Sequence, residues 1–323
     1  MGSSFATFVV RRILTHFIPV LIGVSIICFA VVRLIPGDAV DVMDDRMTPE
    51  QQELVRRTYS LDQPIIVQYQ RWLEQVLHGN LGRSTRSGLP VTTEIAGVIW
   101  PSVQLGLCAA VLGVLLGLPI GVASAFYQDK AIDRTLRAFV YLGISLPEFW
   151  IGTLFIMVFS IKLRLFPVSG YVDILASPLA GMQTLALPAL TLALGMAAFL
   201  SRIVRSTMLE VLRQQYMVFA RAKGLPARVV LYRHALRNAA PIIITVISLQ
   251  VAFLISGSII VEEVFIRPGL GRLLVRSISE RDYAVVQGIT LLFTVVFITG
   301  NLASDILRAA LDPRIRHTEG SAR

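Results

Sequence analysis

The sequence is short of charge, and shorter still of lysine. Charged side chains make up 16% of its 323 residues, against about 25% in a soluble domain. With 54% of the residues hydrophobic, the shortage excludes an ordinary solvated fold. Lysine occurs only at Lys130, Lys162 and Lys223, so the formal charge of +9 is carried by arginine. In a soluble chain such an excess would point to nucleic acid. Here the arginines fall in short stretches between apolar runs, which is where membrane topology puts them, so nucleic acid is not an expected partner. The two cysteines, Cys28 and Cys108, sit inside apolar runs and read as small buried hydrophobes. His16, His78, His234 and His317 are scattered and match no metal-ligand spacing.

Chemistry-bearing motifs are also missing. There is no G-x-x-x-x-G-K-[ST] to cradle a phosphate, and Lys223-Gly224 runs in the wrong order for one. G-x-S-x-G, H-E-x-x-H and paired-cysteine motifs are absent too. No catalytic residue, metal ligand or cofactor of its own is therefore expected. The apolar runs hold almost no ionisable groups, whereas a proton- or sodium-coupled carrier buries acids, bases or histidines along its path. What remains is a path without a motor.

What is present is apolar runs long enough to cross a bilayer, about 20 residues each. Six are expected: Ile13–Val32, Val103–Phe126, Phe139–Ile161, Met182–Leu200, Ile242–Val261 and Ala284–Leu307. The first is longer than a signal-peptide core and lacks a small-x-small cleavage site, so it reads as a retained helix. Pro188 and Gly195 interrupt the fourth, which reads as a broken helix. The expected organisation is residues 1–35 as a first membrane helix, 36–100 as an external loop domain, 101–310 as the core, and 311–323 as a tail.

Orientation follows from the arginines. Arg11 and Arg12, then Lys130, Arg134 and Arg137, then Arg202 through Arg237, then Arg308, Arg314 and Arg316 alternate with less basic stretches. With six spans all of these lie on one side, which the positive-inside rule makes cytoplasmic together with both termini. The opposite loop is expected to be helical. "TPEQ" (Thr48–Gln51) is a capping box with proline at the first helical position. After Pro64, the positions Ile65, Tyr69, Trp72, Leu73, Val76 and Leu77 recur at helical spacing, and Gly79 supplies a stop.

The most informative stretch is Phe219–Pro241, "FARAKGLPARVVLYRHALRNAAP". Tyr216–Lys223 is compatible with a helix. Gly224 ends or bends it, and Pro226 suits the first turn of a second piece, Ala227–Ala239. Small residues at Ala220 and Ala222 permit close approach by a partner, and Arg221 and Lys223 add steering and register. A basic loop that only enforces topology needs no such structured turn.

"ARAKG" followed by "HALRNAAP" resembles the coupling loop, the EAA motif, of ABC importer permeases of the dipeptide/oligopeptide/nickel branch. The resemblance continues along the chain, through "RLIPGD" (33–38), "LDQPIIVQYQRWL" (61–73), "GNLGRSTRSGLPV" (79–91), "GISLPEFWIG" (143–152), "EEVFIRPGLGRLL" (262–274), "RDYAVVQG" (281–288) and "LDPRIR" (311–316). The acid that often opens the EAA motif is absent here, where Gln215-Tyr216 stand.

The resemblance implies an all-α polytopic membrane protein with the type I ABC importer permease fold, having six transmembrane helices and a small helical external domain between the first two. It implies a bacterial cytoplasmic membrane and, as partners beside lipid, a second and usually non-identical permease, two cytoplasmic ATPases that bind ATP and Mg, and an extracytoplasmic solute-binding protein. Ala220, Arg221, Ala222, Lys223, Gly224 and Pro226 would couple to the ATPases. Ser256, Gly257 and Ser258 are expected along the translocation path. Glu262 and Glu263 are expected at the external mouth, either meeting a cationic group or capping the hairpin.

Di- and oligopeptides are the branch's default cargo. A nickel or metal-chelate importer is the alternative within the family, because "ALDPRIRHTEG" (310–320) resembles the tail of nickel-uptake permeases. A non-transporting membrane scaffold is the alternative from another class, and a secondary carrier comes third.

Overall fold

The computed structural model describes residues 9–34 and 63–311. The capping box at Thr48–Gln51 and the motif residues 35–62 and 312–316 lie outside these, as does most of the expected tail. Among the described residues the fold is helical, with one isolated antiparallel bridge between Arg83 and Pro90. Among the described residues five helices are long and apolar enough to cross a membrane, or six if one bent pair counts as a crossing.

Helix α1 (Val9–Val31) is entered through a π-helical turn at Ile13–Phe17. Helix α2 (Ile65–Leu77) begins after Pro64 and stops where Gly79 takes φ +78°. Its aromatic residues dock on α1. Tyr69 and Trp72 lie 5.3 and 5.6 Å from the Phe29 ring, and the Tyr69 hydroxyl is 2.8 Å from Ser25 Oγ. Ile65 and Leu77, expected on the same stripe, are exposed.

Helix α3 (Val91–Phe126) starts well before the expected Val103 and runs through Pro101 and Pro119. The boundary drawn at residue 100 therefore moves back to Pro90. The expected third span is not one straight helix. It is α4 (Ala131–Ser145) and α5 (Glu148–Phe155, continuing as a π-helix over Ile156–Lys162), set at 101° to each other. Pro147 is the cause, because proline disfavours helix in the residue before it, and Leu146 is extended at φ −88°, ψ 130°.

The expected fourth span is corrected in the other direction. Helix α6 (Pro178–Leu212) runs unbroken through Pro188 and Gly195 and is the most buried of the candidate spans. An interior proline costs about 3 kcal/mol. The contacts of a helix whose Leu185, Ala189, Leu192, Met196 and Leu200 are all buried outweigh that. The main partner of α6 is α3, held close by a glycine every fourth residue. A Cβ on Gly113, Gly117 or Gly121 would stand 2.7 Å from Met196 Sδ, 2.8 Å from the Ala197 carbonyl oxygen or 2.6 Å from Val204 Cβ. In lipid, where helices associate by packing, such a stripe sets the spacing.

After α6 come the short α7 (Gln215–Ala222) and then α8 (Ala227–Ser256), which contains a π-helical stretch, Val230–Leu236. The expected second piece of the basic segment, Ala227–Ala239, thus does not stop there but is the foot of the fifth span. Short α9 (Ile259–Val264) and α10 (Leu270–Ser279) lead to α11 (Tyr283–Leu311). Arg12 pairs with Asp305 at 2.7 Å, so the start of α1 lies beside the end of α11. Ser304 Oγ donates to the Thr245 carbonyl, and Gly300 packs on Ala252, so α11 runs antiparallel to α8. The two ends of the described chain and the basic segment therefore share one end of the bundle.

Candidate functional site

The basic turn is built by its own backbone. The Lys223 and Gly224 amides donate to the Phe219 and Arg221 carbonyls at 3.0 and 2.9 Å, closing α7. Gly224 takes φ +76°, where an L side chain is strained. Pro226 then opens α8, its carbonyl accepting from Val229 and Val230 at 2.9 and 3.1 Å. One side of α7 is anchored. Met217 is fully buried in a cluster with Val204, Met208, Val230, Leu231 and Ala235, and Ala220 packs against the same cluster. Of the six residues expected to meet a partner, Arg221, Ala222, Lys223, Gly224 and Pro226 are exposed, and Ala220 is turned partly inward. Sequence reasoning passed over the apolar residues beside them. Tyr216, Val218 and Phe219 are exposed, Phe219 by 67%. Large apolar side chains between basic ones were the available signal.

Just above the turn sits a buried ion pair, also missed. Asp133 is fully buried and accepts from Arg205 Nε at 3.0 Å and Nη2 at 2.8 Å, from the Ser124 hydroxyl, and from the Asp129 amide at 3.0 Å. This bidentate pair ties the α3–α4 turn to α6 about two turns before α6 ends.

At the opposite end of the bundle, α8 breaks at Ser258. Ser258 is buried and donates to Glu262 Oε1 at 2.7 Å, and the hydroxyl of Ser256 has no hydrogen-bond partner among the described residues. Gly257 closes the helix. Glu262 does not stand at an open mouth. It is fully buried, and its carboxylate also accepts from the Ser102 hydroxyl at 2.7 Å and the Gly271 and Arg272 amides at 2.8 and 3.1 Å. Of the two roles considered for it, the geometry is that of a hairpin cap. Glu263 is half-exposed, 3.6 Å from Arg272 Nε. The cap explains the glycines of "PGLG": a Cβ on Gly269 would lie 2.2 Å from Glu262 Cδ, and one on Gly271 2.4 Å from Ile259 Cα.

Beside the cap lies Arg267, 1% exposed, with its guanidinium carbon 4.7 Å from the Tyr171 ring centre. Gln104 donates to Asp173 at 2.6 Å. The Leu175 amide, and then Gln104, hold the Asp173 carboxyl below the ordinary carboxylate range. Ser84 hydrogen-bonds to Asp282, joining the segment before α3 to the start of α11.

Residues 117–317 match the family described as binding-protein-dependent transport system inner membrane component, and residues 5–90 match that family's N-terminal component. The chain is 38% identical over 317 residues to the oligopeptide transport system permease protein AppB of Bacillus subtilis, covering 97% of this chain and 100% of the other. It is 40% identical over 311 residues to the glutathione transport system permease protein GsiC of Salmonella paratyphi A, covering 96% and 99%. It is 38% identical over 335 aligned positions to the dipeptide transport system permease protein DppB of Escherichia coli K12, covering 96% and 98%. Among solved structures, an inward facing form of the MetNI methionine ABC transporter aligns with TM-score 0.56 at 20% identity, over 68% of this chain and 97% of that one, a likeness of fold alone. By sequence and by fold, the chain belongs to the binding-protein-dependent transport system inner membrane component family, the permeases of ABC importers.

Proposed function

We propose that this permease takes up di- and oligopeptides, and that the exposed turn Tyr216–Arg228 is where partner ATPases grip it. The relatives named above are permeases for oligopeptides, glutathione and dipeptides, which favours peptide over nickel cargo. A second permease, two ATPases that bind ATP and Mg, and an external solute-binding protein complete the assembly in this reading. The arginine distribution supports a cytoplasmic turn and cytoplasmic termini, and the Arg12–Asp305 pair, which brings the start of α1 beside the end of α11, fits that topology.

The observation that carries the reading is mechanical. The turn is anchored by Met217 and flows without a break into α8, which spans residues 227–256, about 45 Å at 1.5 Å per residue. A push at the turn is delivered through one rod to the Ser256–Ser258 break at the far end. ATP shifts the pore between states because it binds the two arrangements of the ATPases unequally. The test is Gly224→Val. No atom lies within 4 Å of a Cβ built there, so the variant meets no clash in its own chain. The positive φ adds about 1–2 kcal/mol of strain to the turn alone. Normal insertion with loss of ATPase co-purification and of labelled-peptide uptake in vesicles is expected. Wild-type levels of both would leave the turn as a basic topological loop.

A further inference from the structure

Two cavities outside the coupling turn meet each other. One, of about 590 Å³, opens where α3, α4 and α6 end or begin near the basic end of the bundle, and Arg137, Arg202, Arg205 and Arg213 line it with Glu210. The other, of about 460 Å³, is a groove lined by apolar side chains of the same helices and α5, among them Leu116, Phe139, Trp150 and Leu194. They share Ile120, Val140 and Ser201, so the groove leads into the basic cavity. The change of character runs along single helix faces. On α6 the lining passes from Leu194, Ala197 and Ser201 to Arg205, Leu209 and Arg213, and on α3 from Leu116 through Ile120 to Ser124. That α3 stretch rises about 12 Å, close to the roughly 15 Å depth of one leaflet's hydrocarbon.

The charges of the basic cavity are not settled from within. Buried Asp133 takes Arg205 bidentately and Arg137 at 3.4 Å, yet Arg137 Nε is buried with no hydrogen-bond partner among the described residues. Counting Asp133 and Glu210 against the four arginines leaves two positive charges over.

We propose that this composite pocket binds an anionic glycerophospholipid of the cytoplasmic leaflet, with its phosphate among Arg137, Arg202 and Arg213 and an acyl chain in the groove. Neither half of the pocket explains the other without such a ligand. A free anion needs no apolar slot, and a neutral lipid needs no arginines. Basic pockets between membrane helices at the cytoplasmic side hold anionic headgroups for this reason. The inference rests on the cytoplasmic assignment of this end made above.

The test uses the assembled transporter with its ATPases, purified in detergent, titrated with phosphatidylglycerol or with phosphatidylcholine of the same chains, and read by native mass spectrometry. Selective retention of phosphatidylglycerol is expected. Arg202→Gln with Arg213→Gln should weaken it about twenty-five-fold, at about fivefold for each cation near an anionic group, while phosphatidylcholine is unaffected. The corresponding double lysine variant should keep the selectivity. Val140→Trp, at the junction, should evict the lipid while the assembly stays intact. Equal retention of the two lipids, displacement of phosphatidylglycerol by inorganic phosphate alone, or a groove free of lipid in the assembly because the second permease covers it would each overturn the proposal. ATPase co-purification is read in the same samples. In the wild type, intact ATPase co-purification with no preference for phosphatidylglycerol overturns this proposal alone, and Gly224→Val that keeps its ATPases overturns the coupling assignment alone.

Discussion

Replacing Glu262 separates a structural cap from a residue that meets substrate. In the wild type its carboxylate accepts from the Ser102 and Ser258 hydroxyls and from the Gly271 and Arg272 amides. Glu262→Ala removes all four acceptor positions. The hydroxyls can rotate toward other acceptors, but the two amides are fixed by α10. At about 1–3 kcal/mol for each buried donor left unpaired, the amides alone cost about 2–6 kcal/mol. That agrees with the 3–5 kcal/mol typical of breaking a buried charged network, and it is a large part of the 5–15 kcal/mol that holds a domain together. Glu262→Gln should fall between the two, because its carbonyl serves two donors while its NH₂ faces the others. The assay is the thermal midpoint of the detergent-solubilised permease, with uptake KM measured on whatever reaches the membrane. The midpoint should fall in the order wild type, Gln, Ala, with KM nearly unchanged. An unchanged midpoint with a raised KM for peptides bearing a cationic group would refute the cap and return Glu262 to the mouth.

Three further outcomes are expected. Gly117→Leu drives a side chain toward the Ala197 carbonyl, and since backbone cannot yield, folded permease recovered from membranes should drop severalfold while Gly23→Leu, with nothing within 4 Å of its Cβ, is tolerated. Ser87, exposed in the loop before α3, should label from outside as Ser87→Cys with an impermeant thiol reagent, whereas the nearby Ser84 is buried against Asp282 and should resist; labelling of Ser87→Cys only from the cytoplasmic face would invert the topology. Asp173 has a lowered pKa in the fold, so its contribution is present above the ordinary carboxylate value and is lost as pH falls toward the lowered one; the midpoint of Asp173→Asn should therefore depend less on acid than that of wild type, and a difference confined to alkaline pH would contradict the assignment.

Where the sequence was legible, one local rule decided the outcome. Gly224 and Gly79 had to sit in left-handed backbone because each ends a helix, and both do. The ends of α11 follow from a long apolar run with nothing competing. Prolines were read less well because their effect depends on neighbours that the sequence does not display. Pro188 in α6 is surrounded on all sides and the helix holds, while Pro147 joins two helices whose Tyr141, Leu142, Ile144, Phe149 and Trp150 are exposed, so nothing forces continuity and the chain turns. The start of α3 was hidden by Thr92, Thr93 and Glu94, which look like loop residues but form a first turn pinned by fully buried Val91. The glycines at 113, 117 and 121 were visible at a spacing of four residues, but their meaning required knowing that α6 is the facing helix.

The candidate site divides along the same line. The turn could be read because its residues are sequential, and its geometry is set by backbone hydrogen bonds between near neighbours from Phe219 to Val230. The polar hubs could not, since Ser102 and Glu262 are 160 residues apart, Ser84 and Asp282 are 198 apart, and Asp133 and Arg205 are 72 apart. Ser102 and Glu262 join α3 to the α9–α10 hairpin, Ser84 and Asp282 join the segment before α3 to the start of α11, and Asp133 and Arg205 join α4 to α6. That separation has a mechanical consequence. The hub around Glu262 clamps the hairpin beyond the Ser258 break, while the Asp133–Arg205 pair clamps the α3–α4 turn beside the foot of α8. Between the two clamps the Thr245 and Ser248 hydroxyls of α8 donate to the carbonyls four residues back, and α11 reaches the α8 backbone through Ser304 Oγ, which donates to the Thr245 carbonyl at 3.2 Å. The Asp133–Arg205 pair holds the neighbours of α8 and the Glu262 hub holds its far end at Ser258, so in the coupling reading proposed above a displacement at Gly224 is passed along α8 to the point where the helix ends.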